Sequence, residues 1–209
     1  MTTVNPKPVL IIDPSDKWRP EKSEDEFRNY TSNNAYHKRV KNTYYQMHTN
    51  QSVKLVKDRW STVGDTFPVG CAFSDTCVFG NESFASNEDY ENPQYNTDLG
   101  MYQKNCGLSN VLMSWGHDEY LYRVLKNHPS CTLPEEALTI IRFHSFYPWH
   151  THSAYTQLCD NRDMDMLPWV QRFNTFDLYT KADKLPDMEA LKPYYQALVE
   201  QYIPGKVKF

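Results

Sequence analysis

Three residues are of types suited to holding a transition metal: His117 in the string SWGHDEY, His144 in RFHSFYPWH and Asp177 in FNTFDLYTK. Each falls among apolar neighbours in a stretch of helical spacing, where an ionisable group needs a partner or a metal to offset its desolvation. His117 lies one turn before Leu121, His144 one turn after Ile140 and Asp177 one turn after Phe173, consistent with all three facing the core. Two imidazoles and a carboxylate form the donor set of a mononuclear non-haem Fe(II) facial triad, with coordination positions left for substrate and oxygen. The bland alternative is two satisfied core histidines and a solvated aspartate near a helix end. Spacing alone does not decide between the two.

Other polar residues carry weaker signals. Asp118 beside His117 superficially resembles the adjacent His-Asp pair of metal phosphohydrolases, but neighbours on a helix diverge by about 100°. Followed by Glu119, it reads as an acidic surface. The run His144, His150, His152 is broken by Pro148 and lacks regular ligand spacing, so a surface turn is favoured over a metal cluster. Gly64-Asp65 could present backbone NH groups and a carboxylate to a polyol, although a Gly-Asp pair is ordinarily only a turn. Arg28 and Lys181 are surface cations until something places them near a site. No residue is singled out as a catalytic acid, base or nucleophile.

The elements that must position these residues read as mainly α. Val40, Tyr44, Met47 and Leu55 recur at helical spacing between His37 and Arg59. Ser109 is placed to cap a helix running to about Asn127, with Leu112, Trp115, Leu121, Val124 and Leu125 as its apolar stripe. Thr132 with Glu135 forms a capping-box pattern that opens a helix through Ile140 and His144 until Pro148 stops it. Further helices are expected from about Met166 to Tyr179 and from Lys192-Pro193 to Tyr202. Thr76 to Phe79 is compatible with a short strand followed by a turn at Gly80-Asn81, which would give a small β-hairpin. The polar stretch from Asn81 to Gln103 has no period and reads as a long loop.

Composition bounds the class. The 209 residues suffice for one domain with a core, and an aromatic content of 14% argues against a disordered chain, although mean hydropathy is low at -0.72. Prolines at 6, 8, 14 and 20 make the first 35 residues an extended arm, leaving 36–209 as a single helical domain. A net charge of -4 without single-sign runs gives no electrostatic footprint for nucleic acid or an anionic membrane. Five cysteines without a CxxC pair fit a reduced, cytoplasmic setting. The apolar run Val9 to Ile12 is too short for a signal segment or a membrane span.

The strings VGDTFPVGC, LGMYQKNCGL, VLMSWGHDEYLY, IRFHSFYPWHT, LPWVQRFNTFDLYTK and PYYQALVEQYIPG resemble inositol oxygenase almost continuously from Val63 onward. FRNY at Phe27 to Tyr30 and TYYQMHTNQSV at Thr43 to Val53 extend the likeness. The resemblance implies a helical variant of the HD-domain fold, a monomer, and a mixed-valence di-iron centre with two irons per subunit. With O2 that centre cleaves the C1–C6 bond of myo-inositol to give D-glucuronate. By motif, His117 and His144 resemble the two histidines on the iron that binds substrate, and Asp177 resembles a carboxylate ligand of the other iron. Arg28, Gly64, Asp65, His144, Ser145 and Lys181 match positions that contact the inositol, a ring whose edge is all hydroxyl.

The chain departs from that pattern at one place. In the family a long segment carrying FHAFQTA-like and HDLGK strings follows the TYYQMHTNQSV helix, whereas here Lys57-Asp58-Arg59 runs straight into Trp60-Ser61-Thr62. Neither string occurs in the 209 residues. By the resemblance, the segment missing at 59/60 holds the Asp that bridges the irons, both histidines of the second iron and a substrate lysine. At most a partial iron site is expected, in a fold that lacks some of its core helices, with an inactive shortened form or partner-binding remnant as the alternative to an enzyme.

Overall fold

A computed structural model of the chain describes residues 43–58, 65–177 and 187–208. Its helices are α1 (43–49), α2 (Val53–Lys57), α3 (His117–Lys126), α4 (Glu135–Phe143), α5 (Tyr147–His150), α6 (Asn161–Asp177) and α7 (Met188–Tyr202). Short 3-10 turns occur at Asn81–Phe84, Leu108–Asn110 and Thr156–Leu158. The mainly α expectation holds, and the small hairpin does not form. Among the described residues, β pairing is one isolated bridge between Pro68 and Met113. The stretch read as a strand winds through tight turns instead: the Cys77 amide donates to Ser74, the Gly80 amide donates to Cys77, and Phe79 takes a left-handed φ of 71°. Those turns bring Phe73, Cys77 and Phe84 into one buried cluster.

Helix boundaries differ from the sequence reading where a side chain takes a backbone group for itself. The helix expected from His37 to Arg59 is, within the described residues, α1 and α2 separated by a break. Asn87 donates through its side-chain amide to the carbonyls of Thr49 and Gln51, both at 2.8 Å, and Ser52 caps α2 by accepting the Leu55 amide. The helix expected from Ser109 begins only at His117. Residues 111–115 run extended because the Val69 amide donates to Leu112, the Ser114 amide to Phe67 and the Trp115 amide to the Gln51 side chain. Thr132 does not cap α4; its hydroxyl donates to the Gln201 carbonyl and its amide to Tyr202, tying the start of α4 to the end of α7. α6 and α7 each start several residues early and carry Pro168 and Pro193 inside them.

The polar stretch 81–103 is a loop, as expected, and it is ordered by its own polar side chains. Glu88 accepts from Ser52 at 2.6 Å, Asp89 accepts the Val53 amide at 2.6 Å, and Thr97 accepts the Gly100 amide. At Gly100, φ is +53° and an added Cβ would lie 1.9 Å from the Gly70 carbonyl oxygen, so the turn needs glycine.

One ion pair joins the helices that matter for the site. Glu119 on α3 is 1% exposed and accepts from Arg142 of α4 at 2.7 Å and from Arg123, one turn along α3, at 2.7 Å. Arg142, 5% exposed, also donates to the carbonyls of Leu108 and Val111 and lies over the rings of Tyr122 and Phe143. All three nitrogens of the guanidinium therefore donate to partners in the interior. α4 packs in turn on α6. On α6 only Val170 is buried, while Trp169, Phe173 and Phe176 are exposed, as is Leu121 on α3.

Glu119→Ala leaves a buried guanidinium uncompensated and lowers stability by about 3–5 kcal/mol in urea denaturation. Glu135→Gln, which breaks the exposed pair with Arg162, costs under about 1 kcal/mol in the same experiment. His48 is sealed among Tyr44, Phe67, Phe79 and Phe84, and burial pushes its pKa down to about 4, partly offset by the backbone at Val78. The unfolded chain therefore takes up this proton first as pH falls. The stabilisation is complete above about pH 6.5 and is lost progressively towards pH 4, by about 3 kcal/mol in total. His48→Leu flattens that part of the stability profile, measured by denaturation at stepped pH.

Candidate metal centre

α3 and α4 pack together so that the first residue of one helix meets the residue that ends the other. Gly116 is the N-cap of α3, which makes His117 its opening residue; His144 is the C-cap of α4. The Nε2 atoms of the two rings are 3.0 Å apart, with ring planes at 78°. Nδ1 of His144 faces the carbonyls of Ile141 and Ile140 at 3.1 and 3.3 Å. A carbonyl only accepts, so this nitrogen carries the ring proton and Nε2 presents its lone pair. Phe173 of α6 meets the ring edge-on at 6.0 Å, and His150 donates from Nε2 to the backbone carbonyl of His144 at 2.9 Å.

The pair fits a metal ion. Two nitrogens held at right angles about a metal, each about 2.1 Å away, are separated by about 3 Å. The side chain of His117 is 55% exposed, so the pair is reached by solvent. Ligand atoms of His117, Asp118 and His144 all lie within 4.8 Å of one another, and among the described residues they are the group with that property.

Asp118 and Glu119 do not form the acidic surface expected of them; both are buried. Facing opposite demands 100° apart on α3, Glu119 anchors Arg142 while Asp118 accepts from the Thr66 hydroxyl at 2.5 Å. Asp118 Oδ1 lies 3.4 Å from Nδ1 of His117 and has no hydrogen-bond partner. Burial raises the Asp118 pKa, opposed first by the Thr66 hydrogen bond and then by His117. Sequence reasoning passed over this carboxylate. Its position directly after a candidate ligand was the one signal available.

The remaining candidates divide. Asp65 lies near the pair: its carboxylate accepts from the Tyr44 hydroxyl, and its pKa is pushed up to about 6 by burial and then by Asp118, against an opposing pull from His117. Ser145 is buried beside His144, and its carbonyl accepts the Thr66 amide at 3.1 Å. Asp177 stands exposed at the end of α6 and is not in the converging group. Among the described residues the run of histidines after α4 gathers no second group: His150 supports His144 as described. Arg28, Gly64 and Lys181, like the 59/60 junction, lie outside the described residues.

The sequence profile of the family described as "Myo-inositol oxygenase" matches residues 55–209. Among curated relatives called inositol oxygenase, that of Danio rerio is 58% identical over 151 residues, covering 72% of this chain and 54% of the relative. That of Bos taurus is 60% identical over 147 residues, covering 70% and 51%, and that of Dictyostelium discoideum is 53% identical over 149 residues, covering 71% and 50%. The chain spans about half the length of these curated relatives. The matched region takes in the whole of α3 and α4 with both imidazoles, and the chain belongs to the myo-inositol oxygenase family.

Proposed function

We propose that this chain is an inositol oxygenase by descent that keeps one metal-binding half of a two-iron centre and part of an inositol-binding surface, with its ring-cleaving activity impaired. The observation that carries this reading is the His117–His144 pair, whose Nε2 atoms converge at 3.0 Å on an open face. In this reading His117 and His144 hold iron, and Asp177 belongs to the second iron. Arg28, Gly64, Asp65, His144, Ser145 and Lys181 face myo-inositol. Iron, when bound, supplies the activation of O2 that the oxidation of the polyol requires. Asp65, oriented by Tyr44, accepts hydrogen bonds from ring hydroxyls. The His144 ring is held by the backbone carbonyls behind it, so a bound diol meets a fixed edge.

The impairment follows from the donor count. Cleavage to glucuronate uses all four oxidising equivalents of O2, and the family's paired irons share them through ligands in the FHAF and HDLGK strings. Those strings are absent from this sequence, and the described residues converge on one donor group. The proposal places the loss at 59/60, within a helical unit spanning 36–209 behind an arm at 1–35. A monomer in a reduced, cytoplasmic setting is part of it. No described helix is long and apolar enough to cross a membrane.

A second reading, an inert shortened form that binds a partner, draws on the exposed Trp169, Phe173 and Phe176. Anaerobic loading with Fe(II), followed by iron analysis and a glucuronate assay with myo-inositol and O2, separates the readings. We expect one iron per chain, lost in His117→Ala and His144→Ala, with glucuronate well below one equivalent. Two tightly held irons and stoichiometric glucuronate would overturn the half-site; no iron at all would favour the inert form.

A further inference from the structure

We propose that a cleft between α3, α4 and the start of α6 is a second binding site, for a small polyhydroxylated carboxylate. Neither His117 nor His144 lines it, and the inference does not depend on the half-site reading. The cleft encloses about 240 Å³. That is below the roughly 300–1,000 Å³ of sites that take drug-sized molecules, and it suits a single sugar-sized ring or chain. Arg142 and Phe143, both buried, form its floor, with Tyr122, Leu138 and Met166 half-buried beside them. Ser109, Lys126, Glu135 and Arg162 are exposed and mark its mouth.

The polar groups of the cleft do not all answer one another. Glu135 pairs with Arg162. Asp163 accepts the amides of Leu108 and Asp160 at 2.7 and 2.9 Å, and Asp160 accepts the Asp163 amide at 2.9 Å. Arg142 is neutralised by Glu119, yet a guanidinium has five N–H groups. Nε and Nη2 reach Glu119, Nη2 also reaches the Val111 carbonyl, and Nη1 reaches that of Leu108. Among the described residues these contacts leave one Nη1 hydrogen unanswered, on a side chain only 5% exposed, where an unpaired donor is costly. Lys126 has no ion-pair partner among the described residues, and the hydroxyls of Ser109, Tyr122 and Thr139 have no hydrogen-bond partners among them.

A ligand that completes this set brings a carboxylate for Lys126 and the spare Arg142 hydrogen. It brings hydroxyls for Ser109, Tyr122 and Thr139, and C–H edges to rest on Leu138 and Met166. Glu135 and Asp163 are taken up as described, so the carboxylate that would oppose an anion is Asp160. The ligand must therefore present hydroxyl donors, not charge, to that side. A sugar acid meets every demand. A simple carboxylate leaves the hydroxyls unanswered, and a neutral polyol leaves the cations unanswered.

The test uses the full chain without metal, as wild type, Lys126→Met, Thr139→Val and His144→Ala, the last removing the histidine pair as a competing site. D-glucuronate, myo-inositol and acetate are titrated in turn while the methyl resonances of Leu138 and Met166 are followed by NMR. We expect D-glucuronate to shift both saturably, in wild type and His144→Ala alike. Lys126→Met should weaken it about tenfold or more, the loss of a hydrogen bond to a charged group, and Thr139→Val about two- to tenfold. Myo-inositol and acetate should each bind at least about tenfold more weakly than D-glucuronate. No saturable shift of these methyls, acetate binding as tightly as D-glucuronate, or Lys126→Met binding as wild type does, overturns the inference. Shifts that vanish in His144→Ala place the ligand at the histidine pair and overturn it too. Should His144→Ala fail to fold, Lys126→Met, altered only at an exposed side chain, still decides. Wild type that binds D-glucuronate in the cleft but takes up no iron would sink the half-site reading and leave this site standing.

Discussion

A carboxylate with 1% of its surface exposed, set between two guanidinium groups, governs the geometry of the site. Glu119 fixes α3 against α4 through Arg142, and Arg142 in turn draws in the carbonyls of Leu108 and Val111. Such a pair adds little net stability against an apolar substitute, because both charges are desolvated. What it supplies is register. A slide of one helix along the other would leave a charge unanswered in the interior, and the same slide would pull His117 away from His144. Three successive residues at the start of α3 thus divide the work: His117 faces the open side, Asp118 faces Thr66, and Glu119 faces Arg142.

The sequence made the helical class legible because apolar spacing survives in α3, α4 and α6. It did not make the boundaries legible. Three of the displaced boundaries are set by long-range polar contacts: Gln51 with the Trp115 amide, Asn87 with the carbonyls of Thr49 and Gln51, Thr132 with the end of α7. Local rules for caps and turns describe what a residue does with its near neighbours. Ser109 and Thr132 have the right identity for caps and are committed elsewhere or bypassed. The hairpin expected at Thr76 to Phe79 fails similarly, because the alternation there is overridden by burial of Phe73, Cys77 and Phe84 in one aromatic cluster.

For the site, the residue types were legible and their grouping was not. His117 and His144 meet, whereas Asp177, whose type would complete a facial triad with them, stands at an exposed helix end. A helical wheel gives the direction of a side chain about its own axis but not which helix ends meet. The divergence of about 100° between Asp118 and His117 separates neighbours in a helix interior. At the first turn, with no preceding turn behind it, the divergence from its neighbour places the carboxylate behind the imidazole instead of remote from it.

The pairing of His117 with His144 also spans only 27 residues of chain. Closing so short a loop carries a small entropic cost, and contacts of low sequence separation form early relative to distant ones. The α3–α4 pair is thus joined by contacts of short sequence separation, whereas the tie from Thr132 to Tyr202 must wait for the far end of the chain. Metal capture by two such neighbours couples to the folding of a local unit. A centre assembled from one hairpin can outlive rearrangements elsewhere in a polypeptide that would dismantle a centre assembled from scattered segments.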